Sequence, residues 1–326
     1  MTRWKLVVMI CALAPCRGAG WGDLVGRECA DLNRAVLNQA ANGKLAEAEA
    51  DLRTAIANRR SELRPACEGL MLHNLAALAL LAGSLAEAES LAERAIAILE
   101  PVLGPENTGL LRPVHVLIST RLDQGKIGRA RESLLKMQRI RVTNPQEQAL
   151  LHGAEAALLR AEGRFGESEL AFRLALRDWQ EAGQSDGGEV GSVLSGLTSL
   201  YLTQERLKEA ADVLDQAFAA VNDAPDAAPA DHLKLLRLRA ALEWRQGEWP
   251  KAAEDLRQAL NLVQREPDSG LLAALMTEYA EALRRQHRRR EARAVEKRVA
   301  ALRVVSKGNE VVDATQLLPT SAPRKR

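Results

Sequence analysis

The segment Gly83-Ser84-Leu85-Ala86-Glu87-Ala88 sets the fold, because six other stretches repeat its pattern. They are Gly43-Lys44-Leu45-Ala46-Glu47-Ala48, Gly125-Lys126-Ile127-Gly128-Arg129-Ala130, Gly163-Arg164-Phe165-Gly166-Glu167-Ser168, Glu205-Arg206-Leu207-Lys208-Glu209-Ala210, Gly247-Glu248-Trp249-Pro250-Lys251-Ala252 and His287-Arg288-Arg289-Arg290-Glu291-Ala292. Their last residues stand 40, 42, 38, 42, 42 and 40 positions apart, the regular spacing of a repeat array. Glycine at the first position ends a helix in a left-handed turn that other residues resist. The apolar residue two positions later plugs a helix crossing. The small sixth residue lets two helices approach closely, and a second small residue seven further on (Ala55, Ala95, Ala175, Ala217, Ala259) does the same toward the next unit.

Working outward from each turn, the pattern is helical on both sides. Leu72-His73-Asn74-Leu75-Ala76-Ala77-Leu78-Ala79 precedes the second turn, and Ser90-Leu91-Ala92-Glu93-Arg94-Ala95-Ile96 follows it. The unit is helix, turn, helix. Loops are expected at Pro101–Asn107, Asn144-Pro145, Gly183–Gly191, Asn222–Asp231 and Glu266–Gly270.

These residues resemble the tetratricopeptide repeat. The period near 42, with Leu103-Gly104-Pro105-Glu106-Asn107 between units, is similar to the kinesin-light-chain type. The resemblance spans roughly residues 27 to 303 and implies an all-α, right-handed superhelical solenoid of about seven repeats, occupying 27–305. Its departures lie at the ends: Val36 stands where a small residue is usual, and His287 and Arg289 replace glycine and an apolar residue in the last turn.

Flanking the array, Arg3, Lys5 and the apolar run Leu6–Ala14 read as an export signal over residues 1–20, with Gly18-Ala19-Gly20 offering small residues for cleavage. The other reading is a hydrophobic first helix, which Pro15 and the glycines would break. The expected localisation is therefore periplasmic or secreted. Residues 306–326 read as a partly disordered tail.

Composition narrows the function. With 27% charged and 3% aromatic residues, the chain suits Ala/Leu-rich helices. Without Arg3, Lys5 and Arg17 the 45 basic residues fall to 42, against 43 acidic, so bulk charge points to neither nucleic acid nor membrane. No metalloprotease motif, glycine-rich nucleotide loop, nucleophile elbow or close cysteine pair occurs, so no catalytic residue, metal site or cofactor is expected. Ser133-Leu134-Leu135-Lys136 matches a Ser-x-x-Lys dyad only by spacing, and reads as solvent-face serine and lysine. Cys29 and Cys67 remain after the leader and are expected to pair, as an oxidising compartment allows; two unrelated buried thiols are the other reading.

The resemblance also implies that the first helices of the units make a concave wall. On that geometry the wall includes Asn33, His73, Asn74, His115, Ser195, Ser199, Lys234, Arg237, Trp244, Thr277, Glu281 and Arg284. The expected role is an interaction scaffold that holds a protein or peptide partner there. Lys234, Arg237, Arg284 and Trp244 suit an acidic or C-terminal peptide. They equally suit a plain solvated face. The alternative is an anionic-surface binder using Arg284-Arg285-Gln286-His287-Arg288-Arg289-Arg290, against which stands a solvated end-cap balanced by Glu291 and Glu296.

Overall fold

The computed structural model describes residues 27–41, 45–59, 64–183, 187–223, 229–263 and 270–305. These form fourteen α-helices and one short 3-10 turn, with no strand among the described residues. The helices come in seven pairs: α1 (Arg27–Ala41) with α2 (Leu45–Arg59), α3 (Pro65–Ala82) with α4 (Leu85–Leu103), α5 (Leu111–Asp123) with α6 (Ile127–Met137), α7 (Pro145–Ala161) with α8 (Phe165–Glu181), α9 (Gly187–Thr203) with α10 (Leu207–Asp223), α11 (Pro229–Gln246) with α12 (Trp249–Val263), and α13 (Gly270–Arg285) with α14 (Arg289–Val305). The leader at 1–20, the tail at 306–326 and Gly43-Lys44 of the first turn lie outside the described residues.

The turns show why the sequence pattern works. Gly83, Gly125, Gly163 and Gly247 all adopt left-handed φ values between 71° and 80°. The Gly83 N–H donates to the Leu80 carbonyl at 3.1 Å and the Ser84 N–H to that of Ala79 at 2.9 Å, a Schellman motif that satisfies carbonyls the helix end leaves open. Glu205 (φ 56°) and His287 (φ 62°) hold the same geometry without glycine. There too the following residues close the turn, Arg206 to Tyr201 and Arg288 to Leu283, each at 2.9 Å.

After each turn, the small residue of the column is fully buried: Ala48, Ala88, Ala130, Ser168, Ala210, Ala252 and Ala292. Ser168, the one polar member, donates its hydroxyl to the Ala156 carbonyl across the crossing at 2.8 Å. Val36, the larger residue noted at the first crossing, is also fully buried.

Each helix packs on its partner, each second helix packs on the next first helix, and consecutive first helices from α3 to α11 touch one another. The result is a helical solenoid with the first helices along one wall. Its apolar core runs as one seam from Cys29 to Leu242 and another from Leu233 to Val299, with Phe218 packed against both.

Three expected loops are shorter than the sequence suggests. The helix α4 continues through Pro101 to Leu103, because a proline so near the end costs few helical bonds and the Gly104 N–H still closes on Glu100. The helix α9 begins at Gly187, where Glu189 sits in its first turn, favoured by the positive end of the helix dipole. The helix α11 begins at Pro229, whose fixed φ suits a first turn.

Candidate binding interior

Charged groups on three first helices lie close enough for their charges to act on one another. The helix α5 carries Arg112, His115 and Asp123, α7 carries Arg160, and α11 carries Lys234 and Arg237. His115 has its pKa lowered to about 4, first by burial and then by the nearby cations Arg112 and Lys234. Asp123, at the end of α5, is exposed, and the protein around it raises its pKa against the opposing pull of Lys234, Arg160 and Arg237. Lys234 in the sixth pair thus acts on two residues of the third.

Ion pairs also join first helices of different pairs. Arg112 reaches Glu189 on α9 at 3.6 Å, passing over the intervening pair. Arg237 donates to the Glu278 carboxylate on α13 at 2.9 Å. Burial raises the pKa of Glu278 against the opposing charge of Arg237. Arg160 is different: its buried Nε has no hydrogen-bond partner among the described residues, and burial lowers its pKa against the opposing charge of Asp123.

The residues expected on the concave wall fall into two groups. Asn33, His115, Ser199 and Arg237 are half-buried, and Lys234 and Arg284 exposed. His73, Asn74, Ser195 and Trp244 are at most 4% exposed and sit within the helix packing. Asn74 donates to the Asn33 side chain at 2.8 Å, joining α3 to α1. Ser195 and Ser199 spend their hydroxyls on carbonyls one turn back, Gly191 at 2.7 Å and Ser195 at 2.9 Å. The Trp244 ring lies edge-on to Trp249 at 4.9 Å, with the Arg285 guanidinium beside both, so it is a core group and not a groove floor.

The terminal basic run is partly neutralised. Arg284 pairs with Glu281 and Glu296, Arg285 with Glu281, and Arg288 with Glu291. The Ser133 side chain is buried and not solvent-facing: it accepts from Arg121 at 2.6 Å, while Lys136 is held by Glu100 at 2.7 Å. Those two groups form no dyad.

The sequence reading missed Arg112, Asp123, Arg160 and Glu189. Arg112 and Lys234 both stand thirteen residues before their turns, and His115 and Arg237 both stand ten before. That column register was the available signal. Among the described residues, no group of three or more His, Cys, Asp or Glu could hold a metal ion, and no helix is long and apolar enough to cross a membrane.

Comparison with known proteins agrees with this architecture. Residues 70–108 and 231–303 match family models described as tetratricopeptide repeat. No curated protein matches the chain. A solved Rap protein complexed with Competence and Sporulation Factor is similar over 91% of this chain and 83% of its own, at 13% identity and a TM-score of 0.65. The apo form of RapI is similar over 86% of this chain and all of its own, at 13% identity and a TM-score of 0.54. BtubC (BKLC) from P. vanneervenii covers 75% of this chain and 94% of its own, at 18% identity and a TM-score of 0.51.

Proposed function

We propose that this chain, a tetratricopeptide-repeat protein, is an interaction scaffold that holds a peptide or an extended protein segment inside its solenoid. The observation that carries the reading is the set of charged residues along the first helices, with Arg112 paired to Glu189 and Arg237 to Glu278 on other first helices. Charges grouped along one wall can steer and hold a ligand of matching charge. The Rap structure complexed with Competence and Sporulation Factor supports the reading, since its fold covers most of this chain. The reading places the protein outside the cytoplasm, supported by the leader pattern and the pairing of Cys29 with Cys67.

Affinity capture from an envelope extract, followed by titration calorimetry with the captured partner, tests it. Arg237→Ala should weaken binding by at least about 1 kcal/mol, as arginine anchors at interfaces do. Arg257→Ala, on α12 and paired locally with Glu254, should change little. Binding that survives Arg237→Ala but is abolished by Arg288→Ala plus Arg290→Ala would replace the interior with the terminal basic run.

A further inference from the structure

The last helix carries positive charge that nothing described in the array answers. Arg289, Arg290, Arg293, Lys297 and Arg298 of α14 are exposed, and none of their side chains makes a hydrogen bond or ion pair with a described residue. Both carboxylates of the described part of the helix are already engaged, Glu291 by Arg288 and Glu296 by Arg284. Arg289, Arg293 and Lys297 stand four residues apart, so they line one helix face over roughly 12 Å.

The inner pairs show what that face does. Glu89, Arg131 and Glu169 hold the position of Arg293, one residue after the small residue of the crossing, and each bonds to the next pair. Glu89 accepts from Arg121 at 3.1 Å, Arg131 donates to Glu162 at 2.8 Å, and Glu169 accepts from Arg206 at 2.7 Å. Glu93 holds the position of Lys297 and also pairs with Arg121. Arg289 stands where Phe165 and Trp249 plug their crossings. The face that an eighth pair would cover is thus a row of three cations.

We propose that this face docks an acidic α-helix of a partner protein, laid against α14 as the first helix of a further pair would be. Arg131 and Glu162 supply the precedent, since a cation at this position there takes a carboxylate from the unit stacked on it. Carboxylates one turn apart on the partner helix match the three cations. Other occupants fit less well. Residues 306–326 of this chain hold four basic residues against two acidic, so they are repelled by the face. A second copy stacked head to tail would offer uncharged Gln39 and Asn42 at the positions of Arg121 and Glu162. A bilayer would find no large exposed apolar side chain to take up among the described residues of α14. The site is separate from the solenoid interior and does not depend on it.

Titration calorimetry of the full chain tests this with a covalently stapled helical peptide bearing glutamate at every fourth residue, beside its lysine counterpart. The glutamate peptide should bind and the lysine peptide should not, and added salt should weaken binding about tenfold or more. Arg289→Glu with Arg293→Glu and Lys297→Glu should reverse the preference. The three changes to Gln should remove binding of both peptides. All three side chains are exposed, so the melting temperature should match wild type, which separates lost binding from lost folding. Arg237→Ala should leave peptide binding unchanged.

Failure of the glutamate peptide to bind, or binding that survives charge reversal, overturns the proposal. Equal binding of an unstapled, scrambled glutamate peptide would reduce the face to bulk charge attraction and overturns it as well. Self-association in sedimentation that charge reversal abolishes would assign the face to a second copy, and tighter binding to phosphatidylglycerol vesicles would assign it to a membrane. Either result overturns the partner helix. If Arg237→Ala abolishes peptide binding, the peptide occupies the interior, so that reading stands and this one fails.

Discussion

The sulfurs of Cys29 and Cys67 are joined, with 6.0 Å between their Cα atoms, so α1 is tied to α3 across the pair that contains α2. The bond closes a loop of 38 residues at the end of the array, where a repeat has a neighbour on one side only. In the chain-entropy model such a loop contributes about 4 kcal/mol. Reduction, or Cys67→Ser, should therefore loosen the first pair selectively. Hydrogen exchange should accelerate in α1 and α2 and stay unchanged in α9 to α12. Uniform acceleration would mean that the bond supports the whole array.

Glu205 and His287 occupy left-handed turns that favour glycine. Glu205→Gly should stabilise by roughly 1 kcal/mol, the strain of a non-glycine residue at positive φ less the added freedom of the unfolded chain. The converse, Gly83→Ala, should cost about as much. Nothing lies within 4 Å of a Cβ placed there, so any loss comes from the backbone and not from a clash. Urea denaturation of the two variants settles the sign.

Ala88 and Ala252 are fully buried at helix crossings. Ala88→Trp or Ala252→Trp should cost several kcal/mol, about 3 or more, because so large a side chain forces the two helices apart. Glu93→Gln makes the contrast. Glu93 pairs with Arg121 at 2.5 Å but is about half exposed, and its loss should stay below about 1 kcal/mol. Thermal melts of the three variants rank these effects. A Glu93 change as damaging as the tryptophans would refute the crossing argument.

His115 gives the stability a pH dependence whose sign is fixed. Its folded pKa of about 4 lies below the ordinary 6.5, so between these values the unfolded chain takes up a proton that the folded chain refuses. Its contribution is fully present above pH 6.5 and is lost as pH falls toward 4. The loss should reach on the order of 2–3 kcal/mol. Denaturation midpoints at pH 7, 5.5 and 4.5 should converge between wild type and His115→Gln at pH 7 and separate below it.

The turns were legible in the sequence because few residues suit their backbone and sterics. A left-handed turn asks for glycine, and a crossing asks for alanine, so both leave letters at a fixed period. Glu205 and His287 were visible only through register, since neither residue type signals a turn. The interior was much less legible. Whether Lys234 lies near Asp123 depends on a small rotation accumulated over three repeats, which no single residue encodes. Trp244 shows the same limit: its position is on the wall side, but Trp249 gives its ring a closer apolar partner. Asn74 and Asn33 likewise satisfy each other, where the sequence offered them to a ligand.

The reach of Arg112 to Glu189 bears on how such a chain can change its length. Arrays of this kind ordinarily gain or lose whole modules, since each module answers only to its neighbours. Here the third and fifth modules are clasped over the fourth. Inserting one module between them would shift one partner by about 8–10 Å, the width of a helix, beyond the reach of the clasp. Duplication and deletion should therefore be tolerated at the ends and refused in the middle, leaving the central modules a fixed frame.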